Sequence, residues 1–135
     1  MTEYLLDTNV ISEVRKPRSH SAVVAWFRTL QREQILLPSI VTWEIQRGIE
    51  ATRSQDLRKA VEIEDWLDEV VASFQVISLD ALCARECARI IAGKPDDLLE
   101  DAVVAATARV YGLVVATRNE RDFRQFDVPV LNPFR

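Results

Sequence analysis

Short apolar runs alternate along this chain with stretches whose apolar residues recur at helical spacing, and that alternation limits the fold more than any other feature. Tyr4-Leu5-Leu6, Ile35-Leu36-Leu37, Val76-Ile77, Leu113-Val114-Val115-Ala116 and Val128 to Leu131 are too short for helices and read as buried strands. Between them the period changes. Val23, Trp26, Phe27 and Leu30 share one face of a helix over Ala22 to Leu30, and Ile40, Val41, Ile45 and Ile49 do so from Ser39, the expected cap, to about Ala51. Leu57 to Val71 is a longer amphipathic helix. Further helices are expected from Leu79 to Ala92, ending at Gly93, from Pro95 to Tyr111, ending at Gly112, and over Glu120 to Gln125. Strands alternating with helices imply a parallel sheet joined by right-handed crossovers. The expected fold is α/β, a three-layer α/β/α sandwich around a central, mainly parallel sheet.

With 135 residues and no repeat, linker or low-complexity segment, residues 1–135 are expected to form a single domain. Such a chain buries enough surface to fold without disulfides or a structural metal. No apolar run approaches the roughly 20 residues of a membrane span. Met1-Thr2-Glu3-Tyr4 carries an acid where a secretory signal would carry bases, so a cytoplasmic location without membrane partners is expected.

The chemistry narrows by elimination. Cys83 and Cys87 lie one helical turn apart, but two thiols cannot close a four-ligand zinc site, and they read as small buried residues. His20 is the only histidine and sits in the polar segment Pro17-Arg18-Ser19-His20-Ser21, which disfavours serine–histidine or cysteine–histidine catalysis. Carboxylates remain. Net charge is −4, unusual for a nucleic-acid binder, although a site full of carboxylates supplies part of that deficit.

Asp7 ends the first strand, where open α/β sheets place their sites; it either serves there or merely caps the next helix. Glu44 shares its helical row with Ile40, Val41 and Gly48, so it points inward or along a cleft, or else is a boundary residue reaching to water. Asp101 shares a row with Val104, Ala105 and Ala108, and an ionised carboxylate on a packed face is costly unless paired or ligating a cation. Asp96, Asp97 and Glu100 are accounted for by the helix dipole. Asn119 and Asp122 follow the Leu113–Ala116 strand. Acids gathered at the strand ends suit a hard cation with oxygen ligands, Mg²⁺ or Mn²⁺.

Leu5-Leu6-Asp7-Thr8-Asn9-Val10-Ile11-Ser12 resembles the opening of PIN domains, specifically VapC/FitB-like toxins. Ser39-Ile40-Val41-Thr42-Trp43-Glu44-Ile45 with Gly48, and Asp101-Ala102-Val103-Val104-Ala105-Ala106-Thr107-Ala108, resemble that family's later motifs. Val115-Ala116-Thr117-Arg118-Asn119, Asp122-Phe123 and Leu131-Asn132-Pro133-Phe134 are similar to its closing signature. The resemblance implies an endoribonuclease, the toxin of a toxin–antitoxin system, with Asp7, Glu44 and Asp101 as an acidic triad around the metal. Relatives often carry an acid where this chain has Asn119, so either Asn119 or Asp122 completes the site. It also implies a homodimer or higher assembly and a small DNA-binding antitoxin that occludes the active site.

The expected chemistry is in-line hydrolysis of RNA by a metal-oriented water, leaving a 5′-phosphate. Asp7 and Asp101 are the expected direct ligands and Glu44 a ligand or base. Thr8, Asn9 and Ser39 are expected to hold the carboxylates by hydrogen bonds. Arg15, Lys16 and Arg18, with Arg118, Arg121 and Arg124, are either RNA contacts or solvated charges. The main rival is a non-catalytic PIN-like module that binds RNA or protein. A second rival, phosphoryl transfer on a strand-end aspartate, is weakened because Asn9 stands where an Asp-x-Asp pair needs its second acid and Val76-Ile77-Ser78 ends without an aspartate.

Overall fold

The computed structural model describes residues 1–135. Strands β1 (Tyr4–Leu6), β2 (Ile35–Pro38), β3 (Gln75–Ile77), β4 (Val114–Ala116) and β5 (Val130–Leu131) form one sheet in the order β3-β2-β1-β4-β5, with every neighbouring pair parallel. Seven helices cover it: α1 (Thr8–Arg15), α2 (Ser21–Arg28), α3 (Ser39–Arg53), α4 (Leu57–Ser73), α5 (Ala81–Ile91), α6 (Leu99–Tyr111) and α7 (Glu120–Arg124). No helix is long and apolar enough to cross a membrane.

The period of two along each strand divides the core. Leu5, Leu36 and Val115 face α5, α6 and α7, where they meet Cys87, Ala105, Phe123 and Phe126. Leu6, Ile35, Leu37 and Ala116 face the other way, under Val10, Val23, Val41, Ile49 and Leu67 of α1 to α4. These are the three expected layers. From Ala102 to Ala108 every residue of α6 is buried, so the middle of this helix has no solvated face, and its alanines let it sit close to its neighbours. Cys83 and Cys87 are free thiols in the interior.

Three local details differ from expectation. Pro38 extends β2, pairing with Ile77, and takes the cap position of α3 with no side-chain cap bond. Ser39 is therefore drawn into the first helical turn, and its hydroxyl instead accepts the N–H of Leu79 at 3.2 Å, tying α3 to the turn after β3. Pro95 opens a single 3-10 turn, Asp96–Leu98, before α6 begins. The last strand starts late because Pro129 has no N–H for the ladder and Asp127 adopts a left-handed φ of 50°. Gly112, at φ 69°, ends α6 as expected and releases the chain into β4.

The strand order creates the functional crevice. From β1 the chain moves outward through β2 to β3, then returns to the other side of β1 for β4. At such a switch point the crossovers leave in opposite directions, opening a gap beyond the carboxyl ends of the two central strands. Asp7 follows one strand and Thr117 the other.

Candidate active site

Asp7 caps α1 and also stands in the wall of a cleft. Its extended backbone starts α1, and Oδ1 accepts the N–H of Thr8 at 2.9 Å. Oδ2 accepts the Thr117 hydroxyl at 2.8 Å and the Asn9 amide at 3.2 Å. Asn9 Oδ1 in turn accepts the N–H of Arg118 at 3.1 Å, and Thr117 Oγ1 accepts that of Asn119 at 3.0 Å. The turn after β4 is thereby laced to the turn after β1, and the Asp7 carboxylate is locked in one orientation.

Beyond Asp7 opens a cleft of about 340 Å³ with no hydrophobic side chain in its walls. Glu44 reaches it from α3, Glu100 and Asp101 from the first turn of α6, and Asn119 from the loop after β4. None of Glu44, Glu100 and Asp101 has a salt-bridge partner. A larger hollow, about 520 Å³, lies at the start of β4, but its Glu86 and Arg109 are paired with each other at 2.8 Å.

Crowding raises the acids. Burial lifts the Asp7 carboxyl above its ordinary value, against the hydrogen bonds from Thr117, Thr8 and Asn9. Burial, then the charges of Glu100, Asp7 and Asp101, pushes Glu44 up to about 7. Burial, then Asp7, Asp122 and Glu100, pushes Asp101 up to about 6. A carboxyl raised in the folded protein binds protons that the unfolded chain has released, so its contribution to stability declines as pH climbs from the unfolded value through the folded one. In EDTA the protein is therefore expected to melt at a higher temperature at pH 5 than at pH 7.5. The lowered acids, such as Glu86 and Asp80, lose their contribution only at more acidic pH. Saturating Mg²⁺ should raise the pH 7.5 melt more than the pH 5 melt. A melting temperature in EDTA that rises with pH over this interval would show that the acids are not strained.

Glu100 is the residue that sequence reasoning missed. The helix dipole seemed to account for it, yet its own row, Val103, Val104 and Thr107, is entirely buried, the same signal that singled out Asp101. Thr117 is fully buried and bonded to Asp7, a contact that its place in the Val115–Asn119 motif does not reveal. Asp122 is not in the cleft wall, though its charge acts on Asp101, whereas Asn119 lines the cleft. Ser39 is not in the cleft wall and makes no hydrogen bond to a carboxylate; its hydroxyl accepts the N–H of Leu79.

The basic residues divide in the same way. The Arg118 guanidinium lies 3.8 Å from the Phe134 ring centre and 3.9 Å from Glu13, Lys16 pairs with Glu13 at 3.2 Å, and Arg15 sits over Trp66. Arg18 and Arg121 are exposed and without ion pairs. His20, exposed, stands edge-on to Phe134 and plays no part in the cleft.

The donor set suits a hard divalent cation: carboxylates, two amides and hydroxyls, with neither sulfur nor imidazole. Thr8 Oγ1 is buried there without a hydrogen-bond partner; it opposes the rise of Glu44 without reaching bonding geometry. No three acidic side chains already stand at coordinating positions around one point. Closing a site around a cation would require side-chain rotation, which Glu44 and Asp101 are free to make and Asp7 is not.

The chain is similar in sequence and fold to known proteins. The PIN domain family matches residues 4–129. The chain is 34% identical to toxin FitB of Neisseria gonorrhoeae, over 96% of this chain and 97% of that protein. It is 30% identical to the VapC ribonuclease Y4jK of Sinorhizobium fredii, over 96% of each. Among solved structures, FitAcB from Neisseria gonorrhoeae superposes with a TM-score of 0.87 at 32% identity, covering 98% of this chain and 99% of that one. The FitAB complex bound to a DNA fragment gives 0.83 at 31%, covering 98% and 96%.

Proposed function

The chain belongs to the PIN domain family, and on that premise we propose that it is the ribonuclease toxin of a toxin–antitoxin pair, hydrolysing RNA phosphodiester bonds with Mg²⁺ or Mn²⁺. The observation that carries the reading is the cleft at the β1–β4 switch point, where Asp7, Glu44 and Asp101 meet with Glu100 and no counter-charge. A relative named as a VapC ribonuclease supports the activity, and relatives solved as FitAcB and FitAB support the antitoxin partner and an assembly of more than one chain.

Asp7, Glu44 and Asp101 would hold the cation, with Asn119 or Asp122 completing the set. When bound, such a cation polarises a phosphoryl oxygen and lowers the pKa of an attacking water. Asp7 offers a fixed point, because its three hydrogen bonds leave it one orientation. Glu44, which reaches the cleft from α3, would serve either as a ligand or as the base that takes the proton from the attacking water. In-line attack by water, with the 3′-oxygen of the preceding nucleotide as leaving group, would give products with a 5′-phosphate and a 3′-hydroxyl. Asn9 and Thr117 keep Asp7 turned toward the cleft.

Purified protein incubated with a mixed RNA and Mg²⁺ or Mn²⁺ is expected to produce 5′-phosphorylated fragments, and EDTA should stop the reaction. Products bearing 2′,3′-cyclic phosphate, or cleavage indifferent to EDTA, would overturn the mechanism. RNA bound tightly and never cut, over varied sequences, would favour the non-catalytic module.

A further inference from the structure

The turn after β4 carries groups that hold Asp7, yet it lies outside any helix or strand, and α7 beyond it is short and uncapped. Arg118 donates its N–H to Asn9 Oδ1 at 3.1 Å, and the Asn9 amide reaches Asp7 Oδ2 at 3.2 Å. The segment from Leu131 to Arg135 braces this turn at three points. Leu131 O accepts the Thr117 N–H at 3.0 Å, the Phe134 ring centre lies 3.8 Å from the Arg118 guanidinium, and Arg135 pairs with Glu120 at 2.6 Å. Asn132 Oδ1 accepts the Phe134 N–H at 2.9 Å across the buried Pro133, a turn that folds the ring back against the core. From the other side Glu13, buried in α1, faces the Arg118 guanidinium at 3.9 Å and accepts the His20 N–H at 3.0 Å. His20 in turn stands edge-on to Phe134, with ring centres 5.3 Å apart.

We propose that Phe134 and Glu13 are positioning residues for the cation site: they hold Arg118, whose main-chain N–H fixes Asn9, which fixes the Asp7 carboxylate. The inference rests on the nuclease reading for its consequence and not for its geometry. A solvated arginine samples many rotamers and restrains its backbone little. Stacked on an aromatic face and facing a carboxylate, it keeps one. The Arg118 N–H then stays on Asn9, whose side chain cannot turn its amide over without losing a bond at each end. A carboxylate already held in one orientation binds a cation without first having to be ordered. Arg118 serves the site through its backbone, and the charge on its side chain is used to anchor that backbone.

The test is amide exchange in the metal-free protein, followed by NMR at Arg118, together with Mn²⁺ affinity measured by calorimetry. The Val115 amide, bonded to Pro129 O at 2.9 Å within the sheet, is the internal reference for the fold itself. Phe134→Leu keeps an apolar contact with the core and removes the aromatic face. It is expected to speed exchange at Arg118 by roughly tenfold, with Val115 unchanged, and to weaken Mn²⁺ binding by on the order of tenfold. Glu13→Gln, which keeps an acceptor for His20 and removes the charge, should move both readings the same way. Phe134→Tyr should leave both within about twofold of wild type. Cleavage by Phe134→Leu should fall at limiting Mn²⁺ and recover at saturating Mn²⁺, with KM for RNA unmoved. Exchange at Arg118 unchanged in both Phe134→Leu and Glu13→Gln, or faster exchange with Mn²⁺ affinity intact, would overturn the proposal. The two readings fail separately. Phe134-dependent Mn²⁺ binding by a wild type that cuts no RNA keeps the brace and removes the nuclease, whereas cleavage whose Mn²⁺ dependence ignores Phe134→Leu removes the brace alone.

Discussion

Asp101→Asn is expected to lower RNA cleavage by roughly a thousandfold or more. The substitution keeps the shape of the side chain and removes one charge facing the cation. Cation stabilisation of a phosphoryl transition state amounts to several kcal/mol, and each ~1.4 kcal/mol is a factor of ten. The same change should stabilise the cation-free protein, because Asp101 is pushed up to about 6 by burial and by Asp7, Asp122 and Glu100. Mg²⁺ should then raise the melting temperature of the wild type and leave that of the variant nearly unmoved. This opposition, a more stable protein with almost no activity, separates a ligand from a residue that merely supports the fold. Equal Mg²⁺-induced shifts in both proteins would remove Asp101 from the cation site, whatever the cleavage result.

The second large effect is on stability. Phe123 is completely buried in α7, beside Phe126 and under the Leu5 face of the sheet. Phe123→Ala is expected to cost about 3–5 kcal/mol, through lost transfer energy and the cavity left behind, which for a chain of this size means a melting temperature lower by roughly 10–20 °C. The helix that carries it is only five residues long and has no side-chain cap, so it is held by this anchor and not by its own hydrogen bonds. Asp122 precedes Phe123, and its charge bears on Asp101. Cleavage by the variant should therefore fall below its folded fraction at assay temperature. Phe123→Leu, which keeps most of the volume, should recover most of the melting temperature. A drop of only a few degrees in Phe123→Ala would mean that α7 does not depend on this contact.

The site was legible in the sequence where a carboxylate interrupted an apolar helical row. Glu44 and Asp101 were found that way, and both face the cleft. Glu100 satisfies the same test, but an acid in the first turn of a helix has a ready explanation in the helix dipole. Thr117 could not be connected to Asp7 from sequence, since the two lie 110 residues apart and meet only because β1 and β4 are neighbours. From sequence, Arg118 reads as either an RNA contact or a solvated charge. Its guanidinium instead lies on Phe134, a partner revealed only by the path of the C-terminal segment.

Local periodicity depends on a few consecutive residues, so the strands, the helices and the inward faces could be read from the chain, and with them the three layers. Which strand lies beside which is a matter of non-local packing, and that choice alone made the gap in which Asp7 is locked by Thr117 and Asn9 while Glu44 and Asp101 stay free to turn. The raised carboxyls have the same origin. Desolvation and mutual repulsion depend on distances between residues far apart in sequence, and these exist only once the sheet has assembled.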